Sequence, residues 1–169
     1  MAIVSSADAG LRAAPRATIL QLRAPALTTA ELEREAVRLV AASPVPVLIS
    51  SRVDVALACG AAGVNLPERD IATADARELL GDGSFIGRSV HSLDSALDAQ
   101  RDGADYVIFG PVWQSASHPG VAPVGIAALS AVARAARIPV LAIGGVTQDR
   151  IAECHRAGAA GYAAIGLFA

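Results

Sequence analysis

Arg88, Ser89 and His91 stand within four consecutive positions of "GRSVHSLDSA" (87–96). An imidazole beside a hydroxyl and a guanidinium suits proton transfer near neutral pH, because an unperturbed imidazole titrates at about 6.5. The same residues also fit a polar strand end followed by a helix cap. The chain has two further histidines. His155 lies in "QDRIAECHRAG", a helical stretch expected to face solvent. His118 lies in "GPVWQSASHPGVAPVG" (110–125), the longest irregular stretch, together with Ser115 and Ser117. Long loops inside compact domains often act as lids.

A second group of residues suits an anion. "AIGGVTQDR" closes an apolar run with Gly144 and Gly145 and then offers Thr147 as a helix cap. "AAIGLFA" provides Gly166 after the next run. Glycines let a backbone approach a phosphate closely, and the N–H groups of a helix start point at it. A tight turn is the other use of two such glycines.

The elements that must position these residues repeat a short cycle of an aliphatic run, a polar or glycine-rich end, and a helical stretch. The runs are "ATILQLR" (17–23), "VPVLIS" (45–50), "AGVNL" (62–66), "SFIGRSV" (84–90), "ADYVIFG" (104–110), "IPVLAIGG" (138–145) and "AAGYAAIG" (159–166), preceded by the less regular "AIVSS" (2–6). Between them lie amphipathic segments such as "TTAELEREAVRLVAAS", with Leu32, Val37, Leu39 and Val40 expected on one side. Near-continuous apolar strands alternating with helices predict a parallel sheet covered by helices. Eight of them favour a TIM-type (β/α)8 barrel over an open sheet. The barrel is expected to be trimmed at helix 1 and to lack helix 8, because "ADAGLRAAPR" has room for about two helical turns and the chain stops at Ala169. An uncovered strand pair would be an association surface, as in a homodimer. In such a barrel the chemistry sits at the C-terminal strand ends. Those ends read as a donor-rich, carboxylate-poor ring that includes Gln21, Arg23, Ser50, Asn65, Ser89 and His91.

Composition sets the outer bounds. A chain of 169 residues with 53% hydrophobic and 18% charged residues is expected to form one globular domain. A formal charge of -2 gives no reason to expect nucleic acid. No apolar run approaches the ~20 residues of a membrane span, and no secretory pattern opens the sequence. Cys59 and Cys154 are isolated, which fits a reducing cytoplasm better than a disulfide framework or a metal site.

From about residue 17 onward the chain resembles the thiamine-phosphate synthase superfamily. The resemblance is carried by "QLR", "SSRVDVALACGAAGVNL", "IGRSVHSLDSA", "GADYVIFGPV" and "IPVLAIGGVTQDRIAECHRAGAAGYAAI". It implies a TIM barrel and a role around the thiazole half of thiamine. One branch of the superfamily joins a pyrimidine diphosphate to a thiazole phosphate. Of that branch's strand-2 set, Gln21 and Arg23 match, while Pro25 replaces a lysine. Ser50, Ser51 and Arg52 stand where it carries asparagine, aspartate and arginine. Asp70 matches a second metal carboxylate, and His118 replaces a lysine. These departures fall on diphosphate and metal handling. They point to the other branch, similar to thiazole tautomerase, whose histidine motif "GRSVHSL" resembles.

That resemblance implies an isomerase that needs no metal and no cofactor. His91 is its expected acid–base group, with Ser89 orienting the imidazole or a water. Gln21, Arg23, Ser50, Ser89, Ser115, Ser117, His118, Gly144, Gly145 and Gly166 are the expected contacts to a thiazole phosphate. Two alternatives stay open at this point. One is a non-catalytic or regulatory barrel that binds such a phosphate. The other is a thiamine-phosphate synthase with an altered metal site.

Overall fold

The computed structural model describes residues 1–115 and 120–169. Eight parallel strands form one sheet in chain order: β1 (Ala2–Val4), β2 (Leu20–Leu22), β3 (Val47–Ser50), β4 (Gly63–Leu66), β5 (Phe85–Val90), β6 (Tyr106–Phe109), β7 (Val140–Ala142) and β8 (Gly161–Tyr162). A parallel bridge between Ala2 and Ala164 joins the end of the β8 segment to β1. The Ile3 N–H donates to the Ala164 carbonyl at 2.9 Å and the Ala164 N–H to the Met1 carbonyl at 3.2 Å. The architecture is therefore TIM-like, and the run "AIVSS" does supply its first strand.

The helices are α1 (Ala7–Ala13), α2 (Thr29–Ala42), α3 (Val53–Cys59), α4 (Thr73–Leu80), α5 (Leu93–Arg101), α6 (Gly125–Ala135) and α7 (Ile151–Arg156). Two single turns of 3-10 helix, Ala14–Arg16 and Gln148–Arg150, extend α1 and introduce α7. Among the described residues, β8 is followed by the Ala164 bridge and by turns. Capping is written locally. Thr28 and Glu31 close a reciprocal capping box on α2, and Ser92 with Ser95 does the same on α5. Thr147, expected to cap, occupies the N-cap position of the second 3-10 turn but makes no side-chain capping bond.

Strand side chains alternate between two packing environments. Leu20, Leu22, Ile49, Val64 and Ile86 pack outward against Leu32, Ala36 and Leu39 of α2 and against Val53 and Ala76. Val107, Phe109, Val140 and Ala142 do the same with Ala96, Leu129, Val132 and Cys154. Ile3, Leu48, Tyr106, Ile108 and Ala163 form a separate cluster that fills the interior. One expected core position is corrected. Val37 is 48% exposed, while Ala36 is fully buried. At 100° per residue, positions 32, 36 and 39 share a stripe that position 37 leaves.

Candidate active site

The C-terminal end of β5 carries the residues that opened the sequence reading. His91 follows Val90 directly, and Ser92 then caps α5. The side chain of His91 is about half exposed. Its Nδ1 lies 2.8 Å from Glu68 Oε2, and its backbone N–H donates to Glu68 Oε1 at 3.3 Å. Ser89 has a different partner from the one expected. Its Oγ accepts from Asn65 Nδ2 at 3.0 Å, so it braces β4 against β5, and it is Glu68 that orients the imidazole.

Glu68 stands in the loop between β4 and α4, which Arg88 holds in place. The Arg88 guanidinium donates to the carbonyls of Ile71, Glu68 and Asp70 at 2.5, 2.9 and 3.1 Å. Burial opposes ionisation of Glu68. The nearby Ser95 hydroxyl, the hydrogen bonds from His91 and the attraction of His91 outweigh that and hold the carboxyl below its usual range.

A second acidic residue of this loop meets the end of β3. Ser51 Oγ donates to Asp70 Oδ2 at 2.5 Å, while Asp70 Oδ1 accepts the Ile71 N–H at 2.8 Å. Ser51 has φ 69°, and the Arg52 N–H bonds back to the Ser50 carbonyl at 2.8 Å. This three-residue turn needs the left-handed region, which a serine rarely adopts. Two carboxylates thus reach the strand-end ring, which corrects the carboxylate-poor reading. They arrive from a loop, where the strand pattern does not register them.

The described residues do not build a divalent-cation site by themselves. Among them, no three His, Cys, Asp or Glu side chains gather to hold such an ion without a ligand's oxygens. Both Asp70 oxygens are already hydrogen-bonded, and Ser51 offers a neutral hydroxyl.

The remaining expected contacts spread around the ring. Gln21 is buried within β2, and its Oε1 has no donor among the described residues. Asn65 Oδ1 is in the same position, so two buried carbonyl acceptors are available to a ligand's N–H or O–H groups. Arg23 follows β2; its N–H bonds to the Val4 carbonyl at 2.8 Å. Its exposed side chain lines a cavity with Ser5, Arg12, Ile165 and Phe168. Ser50 ends β3. Ser115 is the last described residue before the segment 116–119, and Ser117 and His118 lie outside the described residues.

Gly144 and Gly145 have a packing duty. Their φ angles are 89° and 65°. A Cβ on Gly144 would lie 2.5 Å from Pro111 Cβ. One on Gly145 would lie 2.5 Å from the Gln114 carbonyl oxygen and 2.8 Å from Trp113 Cβ. The Val112 and Trp113 N–H groups bond to the Ile143 and Gly144 carbonyls at 2.8 and 3.0 Å. Arg150 ties the Gly145 carbonyl at 2.7 Å and stacks 5.0 Å from the Trp113 ring centroid. The first half of the long loop is thus stitched to the β7 turn. The N–H groups of Gly144, Gly145 and Gly166 have no acceptor among the described residues. Gly166 has open space where a Cβ would project.

Glu68 and Arg12 belong to this surface and were not expected as site residues, and Asn65 was expected only as a member of the strand-end ring. Glu68 had a signal: an acidic residue just past the strand adjacent to the one that delivers His91.

Residues 2–168 match the family model described as thiamine monophosphate synthase. The thiamine-phosphate synthase of Chloroflexus aurantiacus is 40% identical over 88% of this chain and 70% of its own length. A putative thiamine-phosphate synthase of Geobacter sulfurreducens is 46% identical over 83% of the chain and 67% of its own length. The structure of a thiamine phosphate pyrophosphorylase from Pyrococcus furiosus superimposes with a TM-score of 0.86 at 29% identity, covering 98% of this chain and 84% of that one. The chain belongs to the thiamine monophosphate synthase family.

Proposed function

We propose that this barrel binds a thiazole phosphate at the C-terminal ends of its strands and moves a proton on it, the tautomerase reaction of thiamine biosynthesis. The observation that carries the reading is the His91 ring, seated on the Glu68 carboxylate at 2.8 Å where β5 meets α5. The substrate is a thiazole carboxylate whose phosphate-bearing arm is joined by an exocyclic double bond. A single base takes the proton from ring C2 and returns it to the exocyclic carbon, making the ring aromatic. The N–H groups of Gly144, Gly145 and Gly166, without an acceptor among the described residues, suit the phosphate. The cationic cavity of Arg12 and Arg23 suits the carboxylate.

A second reading is thiamine-phosphate synthesis itself, the activity for which the relatives in Chloroflexus and, as putative, in Geobacter are named. Names of relatives at this identity favour it more than they favour the tautomerase, as does the retention of Gln21, Arg23 and Asp70. Against it stands Ser51, whose neutral hydroxyl binds Asp70 at the position where the synthase branch carries an aspartate, which leaves one carboxylate to hold a metal-bound diphosphate.

One pair of assays separates the readings. The chain is incubated with the unaromatised thiazole carboxylate phosphate and the ultraviolet change on aromatisation is followed. In parallel it receives the aromatic thiazole phosphate, the pyrimidine diphosphate and Mg2+. Aromatisation alone is the expected result. Thiamine phosphate in the second assay, with no aromatisation in the first, would replace the tautomerase by the synthase.

A further inference from the structure

We propose that Glu68 is the positioning residue that fixes His91 as its Nδ1–H tautomer, so that Nε2 is the atom that accepts and returns the proton. The proposal rests on the reading that His91 is the acid–base group. An ionised carboxylate can only accept hydrogen bonds. A neutral imidazole facing it across 2.8 Å must therefore donate from Nδ1, which leaves the lone pair on Nε2.

The carboxylate is fastened well enough to select one form. One oxygen takes the ring contact and the other takes the His91 N–H at 3.3 Å. Ser95 Oγ of α5 accepts from the same His91 N–H at 3.3 Å, so the helix that His91 introduces also helps to hold the histidine against its partner. Arg88 fixes the loop beneath with three carbonyl contacts, one of them to Glu68 itself. The segment "GRSVHSLDSA" therefore supplies the imidazole at position 91, the loop clamp at 88 and, at 95, a hydroxyl acceptor for the His91 N–H.

The proton count closes without another reactant. Nε2 takes the proton from ring C2, and the electron pair of that C–H bond moves into the thiazole as the exocyclic double bond shifts. The imidazolium is stabilised by a carboxylate that stays ionised throughout. Nε2 then delivers the proton to the exocyclic carbon, and His91 returns to its starting form.

The test is 15N NMR of the full chain with labelled histidine, at a pH where the imidazole is neutral, with the His91 signals assigned through His91→Asn. The expected spectrum shows His91 as Nδ1–H. In Glu68→Gln the amide can present either a carbonyl or an N–H, and in Glu68→Ala nothing faces the ring. Both variants are expected to give a mixture of tautomers. With the thiazole substrate, both are expected to lose about ten- to a hundredfold in kcat with KM unchanged, the range seen when the outer hydrogen-bond partner of a metal-binding histidine is removed. An Nε2–H tautomer in the parent chain, or an Nδ1–H tautomer that survives both substitutions, would overturn the proposal. If the spectra behave as expected but the parent chain never aromatises the substrate, the positioning role stands and the tautomerase reading fails.

Discussion

Ser51 Oγ donates to Asp70 Oδ2 at 2.5 Å, so a strained turn after β3 and the loop after β4 meet through a hydroxyl and a single carboxylate. One carboxylate whose second oxygen already binds the Ile71 N–H makes a poor Mg2+ site. Isothermal titration with Mg2+ should therefore give no saturable heat, and a chelator should leave turnover unchanged. Ser51→Asp would place a second carboxylate beside Asp70, where like charges seek a counterion, and should create measurable Mg2+ binding. Loss of parent activity on chelation, restored by Mg2+, would move the assignment to the synthase.

His91→Asn keeps a polar side chain of related shape but cannot exchange a proton in this range. General acid–base groups contribute about 10²- to 10⁴-fold, so kcat should fall by that factor. Affinity for the phosphate-bearing ligand should hold, because its proposed contacts lie on the β7 and β8 turns. Steady-state kinetics on the unaromatised thiazole gives both numbers.

Gly145 and Gly166 should respond differently to alanine. At Gly145 the new Cβ would meet the Gln114 carbonyl and Trp113 on a backbone with φ 65°. The left-handed backbone alone costs an L-residue about 1–2 kcal/mol, and the clash adds to it, so urea unfolding should register a clear loss. At Gly166 nothing lies within 4 Å. Gly166→Ala should stay within about 0.5 kcal/mol of the parent in stability, which makes it the cleaner probe of phosphate affinity.

Arg88→Ala should loosen the loop that carries both carboxylates. It removes all three bonds to the carbonyls of Glu68, Asp70 and Ile71. Hydrogen exchange at the Asp70 and Ile71 amides should accelerate, while amides in β3 and β4 keep their protection. Unchanged exchange in the loop would show that the clamp does not hold it.

Glu68 also gives a stability signal. Its folded-state pKa is lowered, so its contribution is fully present above the unfolded carboxylate value of about 4.3 and is lost as pH falls through the lower folded value. Glu68→Gln should flatten the decline of stability in that acid window and leave the slope above about pH 5 unchanged. Urea midpoints measured along a pH series would show it.

The alternation of "VPVLIS", "AGVNL" and "ADYVIFG" with amphipathic helices determined the eight-stranded parallel order, because a strand covered on both faces must be apolar along its length. Strand polarity then placed Gln21, Ser89 and His91 near one end of the barrel, and the motif around His91 made it the candidate for proton transfer. What touches what was decided only in three dimensions. Glu68 lies 23 positions from His91, and Asp70 lies 19 from Ser51. These contacts exist because β4 pairs in register with both β3 and β5, which brings its loop against two neighbouring strand ends. The same holds for Ser89, which the sequence set two residues from an imidazole and the sheet set against Asn65. Gly144 and Gly145 read as phosphate ligands from their type and position. Their second duty, the close approach of Pro111 and Trp113, depends on a loop more than thirty residues earlier in the chain. Periodicity reports burial along one element, whereas a side chain's partner is set by the register between elements.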